Sequence, residues 1–160
     1  VSGETGFEVN RMFVSVDTSS LTSAATVTAG DLTVTGDGPT NTSSFSNVDT
    51  TDVDCVQSTP ATPSTIAGAD FDQVGTTVAS SIALASMSQS GANVFSLNTQ
   101  LAFINKTGYT NLALRNSRDT DNSQPTGVNR CYFFTVSSGT DPVVNVTYTL
   151  PTGGLPFLVY

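Results

Sequence analysis

Histidine and tryptophan are both absent from this chain, and positive charge is scarce: five Lys and Arg stand against thirteen Asp and Glu, for a net charge of −8. Without histidine the commonest general base and the commonest transition-metal ligand are missing, which removes His-dependent nucleophile triads and His-based zinc sites. Without a basic footprint, neither nucleic acid nor an anionic membrane surface is an expected partner. No run of about 18 or more apolar residues occurs, so no membrane-spanning helix is expected. Val1 opens the chain with no basic segment leading into an apolar one, so it reads as a processed product, an excised domain or a chain whose start was not recorded.

What the chain has in quantity is hydroxyl. Serine and threonine together number about 46 of the 160 residues. Threonine favours extended backbone through its branched Cβ while its hydroxyl stays solvated, which suits the wet face of a sheet and an extracellular or virion setting. The apolar residues arrive in short alternating runs, not in the helical spacing. Val144, Val146 and Tyr148 alternate with Asn145, Thr147 and Thr149, so one face is buried and one is wet.

Similar strand-like runs cover Phe7 to Val16, read as a central strand because both faces are apolar, Thr26 to Ala29, Asp31 to Thr35, Val53 to Gln57, Asn93 to Leu97, Leu112 to Leu114, Cys131 to Val136 and Val143 to Leu150. Gly36-Asp-Gly-Pro39, Pro60, Pro63 and the Asp/Asn-rich stretch from Arg118 to Gly127 supply the reversals. One helix of two to three turns is expected where Asn98 can act as N-cap, Leu101 and Ile104 share a face, and Gly108 can end the turn. The expectation is one all-β domain, residues 1 to 150, followed by an apolar tail, residues 151 to 160.

The segments Arg11-Met-Phe-Val-Ser-Val-Asp-Thr-Ser-Ser-Leu21, Asp70-Phe-Asp-Gln-Val-Gly75, Ile104-Asn-Lys-Thr-Gly108, Leu112-Ala-Leu-Arg115 and Arg118-Asp-Thr-Asp-Asn-Ser-Gln-Pro-Thr-Gly127, with Asp141-Pro142 before the last strand, carry a resemblance in their order. Together they resemble an antiparallel jelly-roll β-sandwich domain of phage virion proteins and prokaryotic surface proteins, related in shape to carbohydrate-binding modules. The resemblance implies a non-enzymatic role as a decoration, fibre or appendage subunit in a virion or on a cell surface. Its partners would be other copies of the chain or capsid and fibre proteins. The alternative is adhesion through a surface glycan or receptor. The tail from Pro151 to Tyr160 departs from the family pattern.

Four groups of residues are candidates for chemistry or contact. Asp119 with Asp121, and Asp70 with Asp72, could give oxygen ligands to a structural Ca2+, or simply shape Asx-type turns. As an acid/base pair for glycoside hydrolysis they lack the aromatic cleft, and no cofactor or catalytic activity is expected. Cys55 and Cys131 could form a disulfide in an oxidising setting or remain two buried thiols. Arg11 and Arg115 lie in strand runs and are expected to pair with Asp17 or another acid to hold loops. Leu155, Phe157, Leu158 and Tyr160 are the expected interface, because an exposed apolar end either folds back over the sandwich or pairs with a neighbouring subunit. Sequons at Asn41, Asn105 and Asn145 are acceptors only where the source glycosylates.

Overall fold

The computed structural model describes residues 9–38, 45–63, 65–134 and 140–151. They form nine strands: β1 (Met12–Asp17), β2 (Thr26–Thr35), β3 (Ser46–Asn47), β4 (Asp52–Ser58), β5 (Val74–Ala83), β6 (Ala92–Ser96), β7 (Tyr109–Asn116), β8 (Asn129–Arg130) and β9 (Val143–Thr149). All pairings are antiparallel, in sheets ordered β1-β7-β4-β5, β6-β2-β9 and β3-β8. The chain is all-β, as its alternation requires.

Alternate residues of the two larger sheets meet in one core. Val14, Val53, Cys55, Leu112 and Leu114 come from the four-stranded sheet, and Leu32, Val34 and Phe95 from the three-stranded one. Register explains the match: Val14 faces Leu112 and Cys55 faces Leu114, while Leu32 lies between Phe95 and Val144. Val144 and Val146 of β9 pack against this core, whereas Val143 before them and Asn145 between them are exposed, and Tyr148, expected on the buried face, is exposed as well. The two extended pieces expected around residue 30 are a single strand, β2, with a register shift between Val27 and Ala29.

Three local expectations are corrected. β1 is an edge strand among the described residues, pairing with β7 alone. Apolar residues on both faces therefore did not mark a central position; on the neighbouring strands Val56 and Ala113, outside the main core cluster, are also fully buried, and the turn at 117–120 contacts both strands. The helix expected after Asn98 is one 3-10 turn, Leu101–Phe103, ending in extended backbone at Ile104. Asn98 does not cap it, because its Oδ1 accepts from Gly30 N at 3.0 Å and so ties the turn to β2. The run expected as a strand from Cys131 gives only a bridge between Phe133 and Gly36; residues 135–136 lie outside the described set.

The α-helix among the described residues is instead α1 (Ser117–Thr120), inside the stretch expected as loop. Asn116 caps it by accepting from Arg118 N at 2.9 Å. Asn122, at φ 51°, takes the left-handed conformation at its far end, and Ser123 N donates to Arg118 O at 2.8 Å, the closing bond of a Schellman motif. One helical turn is therefore held at both ends by side-chain and backbone bonds, without needing length.

Gly36 is the tightest backbone approach. A Cβ there would stand 2.4 Å from Ser88 O and 2.6 Å from the carbonyl carbon of Gln89. Those are backbone atoms and cannot swing away, so Gly36→Ala should destabilise by about 1–3 kcal/mol through overpacking. A urea midpoint unchanged from the parent would show that the Ser88–Gln89 turn yields freely.

Candidate functional site

Among the described residues a densely bonded polar cluster joins Arg11, Phe71, Arg115 and Asp119. Arg11 enters from the residue preceding β1, Arg115 from β7, Asp119 from α1, and Phe71 from the loop leading to β5. The Arg11 guanidinium grips the Asp119 carboxylate at both oxygens, with contacts of 2.7 and 2.8 Å. It also stacks over the Phe71 ring, 4.1 Å from the centroid, and donates to Phe71 O. Arg115 donates to Asp119 Oδ2 at 2.8 Å, to the Asp119 carbonyl, and to Gly75 O at 3.2 Å.

Charge and burial define this cluster. The side chains of Arg11, Arg115 and Asp119 are 10%, 6% and 12% exposed. Burial pushes the Asp119 carboxyl up, but the hydrogen bonds and charges of Arg11 and Arg115 outweigh it and hold the group below the ordinary range. The same bond to Asp119 raises the Arg11 guanidinium further. Each donor is aimed at a carboxylate or a main-chain carbonyl, which is the bidentate use for which arginine is suited. The arginines do hold loops, and their acid is Asp119; Asp17 instead accepts from Ser19 N.

The carboxylates expected as cation ligands are employed in the same way. Asp70, buried, receives Ala61 N at 2.9 Å and Ala67 N at 2.8 Å, and these backbone bonds lower its carboxyl. Asp119 is committed to the two arginines. Asp72 is 89% exposed and lies 3.7 Å from Arg11, and Asp121 is exposed at the end of α1. No group of three or more His, Cys, Asp or Glu that could hold a metal ion is assembled among the described residues. Of the two uses expected for these carboxylates, the hydrogen bonds of Asp70 and Asp119 are those of loop fastening and ion pairing.

Both cysteines are free thiols, Cys55 buried in β4 and Cys131 half-buried after β8. Burial pushes each up to about 12, with the Asp54 charge adding to the effect at Cys55. Burial thus holds both as protonated thiols at neutral pH. The interface residues Leu155, Phe157, Leu158 and Tyr160 lie outside the described residues.

Alternation along the sequence did not single out a groove of about 560 Å³ at one end of the four-stranded sheet. Its walls are Gln57, Ser58 and Thr59 at the end of β4, Tyr109 and Asn111 at the start of β7, and the segment from Ala102 to Thr107. That segment is fastened from behind. Thr18 Oγ1 donates to the Asn105 and Gly108 carbonyls, Thr110 Oγ1 accepts from Asn105 N at 3.0 Å, and the two hydroxyls meet at 2.8 Å. Lys106 Nζ is anchored on Ser23 O at 2.9 Å and Ala25 O at 2.8 Å. The period-two pattern did hold the signal, since it sets Tyr109 and Asn111 on the face opposite Thr110 and Leu112.

No helix among the described residues is long and apolar enough to cross a membrane. No family model, curated protein or solved structure matches the chain.

Proposed function

We propose that the chain is a non-catalytic structural domain, a jelly-roll sandwich that decorates or bridges a virion or an extracellular surface assembly. One observation carries this reading: the outward face of the β6-β2-β9 sheet is flat in chemistry and nearly free of charge. Val94, Thr33 and Val143 stand in register across its three strands, and the two valines are 54% and 48% exposed. Ala92, Ser96, Thr35 and Thr147 surround them, with Asp31 as the charged residue, already bonded to Asn145. Among the described residues strand β9 is an edge, without a single charged side chain, the kind of edge that accepts another chain by main-chain pairing.

The polar clusters support the same reading, because Arg11, Arg115, Asp119 and Asp70 spend their bonding on loops instead of facing a substrate. In the proposed assembly, Leu155, Phe157, Leu158 and Tyr160 fill a neighbouring copy's surface, each large side chain contributing on the order of 1.5–3 kcal/mol before ordering costs. Sedimentation velocity over a wide concentration range tests it. The full chain should self-associate, and deletion of residues 155 to 160 should abolish association while leaving the β-sheet circular-dichroism spectrum unchanged. A chain that stays monomeric at every concentration, and fails to enter the assembly of its source, would sink the proposal.

A further inference from the structure

We propose that the groove bounded by Gln57, Ser58, Asn105, Tyr109 and Asn111 is a binding site for a neutral saccharide, independent of the assembly face on the other sheet. Its volume of about 560 Å³ falls within the roughly 300–1,000 Å³ typical of small-ligand sites. Tyr109 places a 38% exposed aromatic ring at its side, and the C–H face of a pyranose is the natural partner for such a surface.

The polar groups around the ring specify the ligand class. Three amides line the groove, and two are already oriented by the protein. Asn111 Oδ1 accepts from Ser15 Oγ at 2.7 Å, and Asn105 Oδ1 accepts from Thr107 N at 3.0 Å. Each amide nitrogen is left to donate, and a carboxamide set beside a hydroxyl suits vicinal hydroxyls that both give and accept. Ser58 adds an independent sign. It is only 3% exposed, its Oγ has no hydrogen-bond partner, and it forms part of the groove wall. Buried hydroxyls are normally satisfied, so an unmet one beside an open groove points to a bound hydroxyl or its bridging water.

Charge narrows the class further. Among the described residues no carboxylate lines the groove, which disfavours a cation and gives no general acid or base there. The lysine on its wall is anchored on two carbonyls, and the chain's net charge of −8 opposes an anion. A neutral polyhydroxylated ligand is what remains, held by ring contact and amide hydrogen bonds. The segment carrying Asn105 is already fixed by Thr18 and Thr110, so binding needs little ordering.

The test is a nitrogen-15 NMR titration with neutral hexose and N-acetylhexosamine oligosaccharides, run beside sialylated and sulfated ones. The expected result is that a neutral oligosaccharide shifts the Tyr109, Asn105 and Asn111 resonances and the Gln57 side-chain amide. Tyr109→Ala should weaken that binding about tenfold, the loss of one aromatic contact, while Tyr109→Phe keeps it. Gln57→Ala, at an exposed side chain, should weaken binding several-fold with unchanged thermal stability and serves if Tyr109→Ala folds poorly. The proposal is overturned if no neutral oligosaccharide moves these resonances, if only the anionic ones do, or if binding survives both substitutions.

Discussion

Asp119→Ala should lower the melting temperature by roughly 10 °C, from a loss of about 3 kcal/mol at about 2–4 °C per kcal/mol for a chain of this size. The loss exceeds that of an exposed pair because two guanidinium groups, 10% and 6% exposed, would remain close together without their shared counterion. Three chain segments come loose together: the approach to β1, the end of β7 and the loop at Phe71. Arg115→Lys should not preserve stability, because one ammonium cannot reach the Asp119 carboxylate, its carbonyl and Gly75 O in the observed directions.

The effect carries a pH signature. The folded Asp119 carboxyl titrates below its ordinary value of 3.8. A depressed carboxyl contributes stability that is complete above the unfolded value and is lost as pH falls through the folded one. Parent and Asp119→Ala should therefore differ by the full amount at neutral pH and draw together below pH 3.8. Melting curves that stay equally far apart into acid would mean that α1 packing, not the ion pair, carries the cost.

The strands were legible because period-two alternation is a local property. Val144 and Val146 against Asn145 and Thr147 needed no knowledge of partners, and their burial follows that order. Pairing was not local. Whether β1 stood at the centre or the edge depended on which strands flank it, and its one partner among the described residues, β7, lies roughly a hundred residues further along the sequence. Asn98 misled for a related reason: a residue suited to cap a helix is equally suited to bond a strand amide, and Gly30 N was the nearer claimant.

The helix that did form had its signals in plain sequence. Asn116 three residues before Asp119, with Asn122 and Ser123 behind, is a start and a stop within one short stretch. Reading Asp119 and Asp121 as cation ligands or Asx-type turn residues hid it, since the same residue types serve turns, caps, ion pairs and metals. Only geometry separates these uses, and for Asp119 it is the two arginines, one just before β1 and one from β7. The groove was less legible still, because Gln57, Asn105 and Tyr109 are ordinary residues until a register and a tight turn place them together.

Neighbouring residues of β6 should separate stability from assembly most sharply. The strand alternates exposed and buried positions, with Val94 54% exposed and Phe95 fully buried beside Leu32. Phe95→Ala removes the largest of the fully buried side chains and should cost about 4 kcal/mol, from lost transfer energy together with the cavity left behind. Val94→Lys touches only the outward face and should change stability by less than about 0.5 kcal/mol. It sets a cation at the end of the Val94–Thr33–Val143 row, where burial against a second copy would strip that charge of water without a counterion. The expected outcome is a crossed pair of results. Urea unfolding shifts strongly for Phe95→Ala and hardly at all for Val94→Lys, while sedimentation shows Val94→Lys as a folded chain that no longer self-associates. If Val94→Lys associates as the parent does, the contact lies on another face. If Phe95→Ala costs less than about 1 kcal/mol, the two sheets do not share the single core that their register implies.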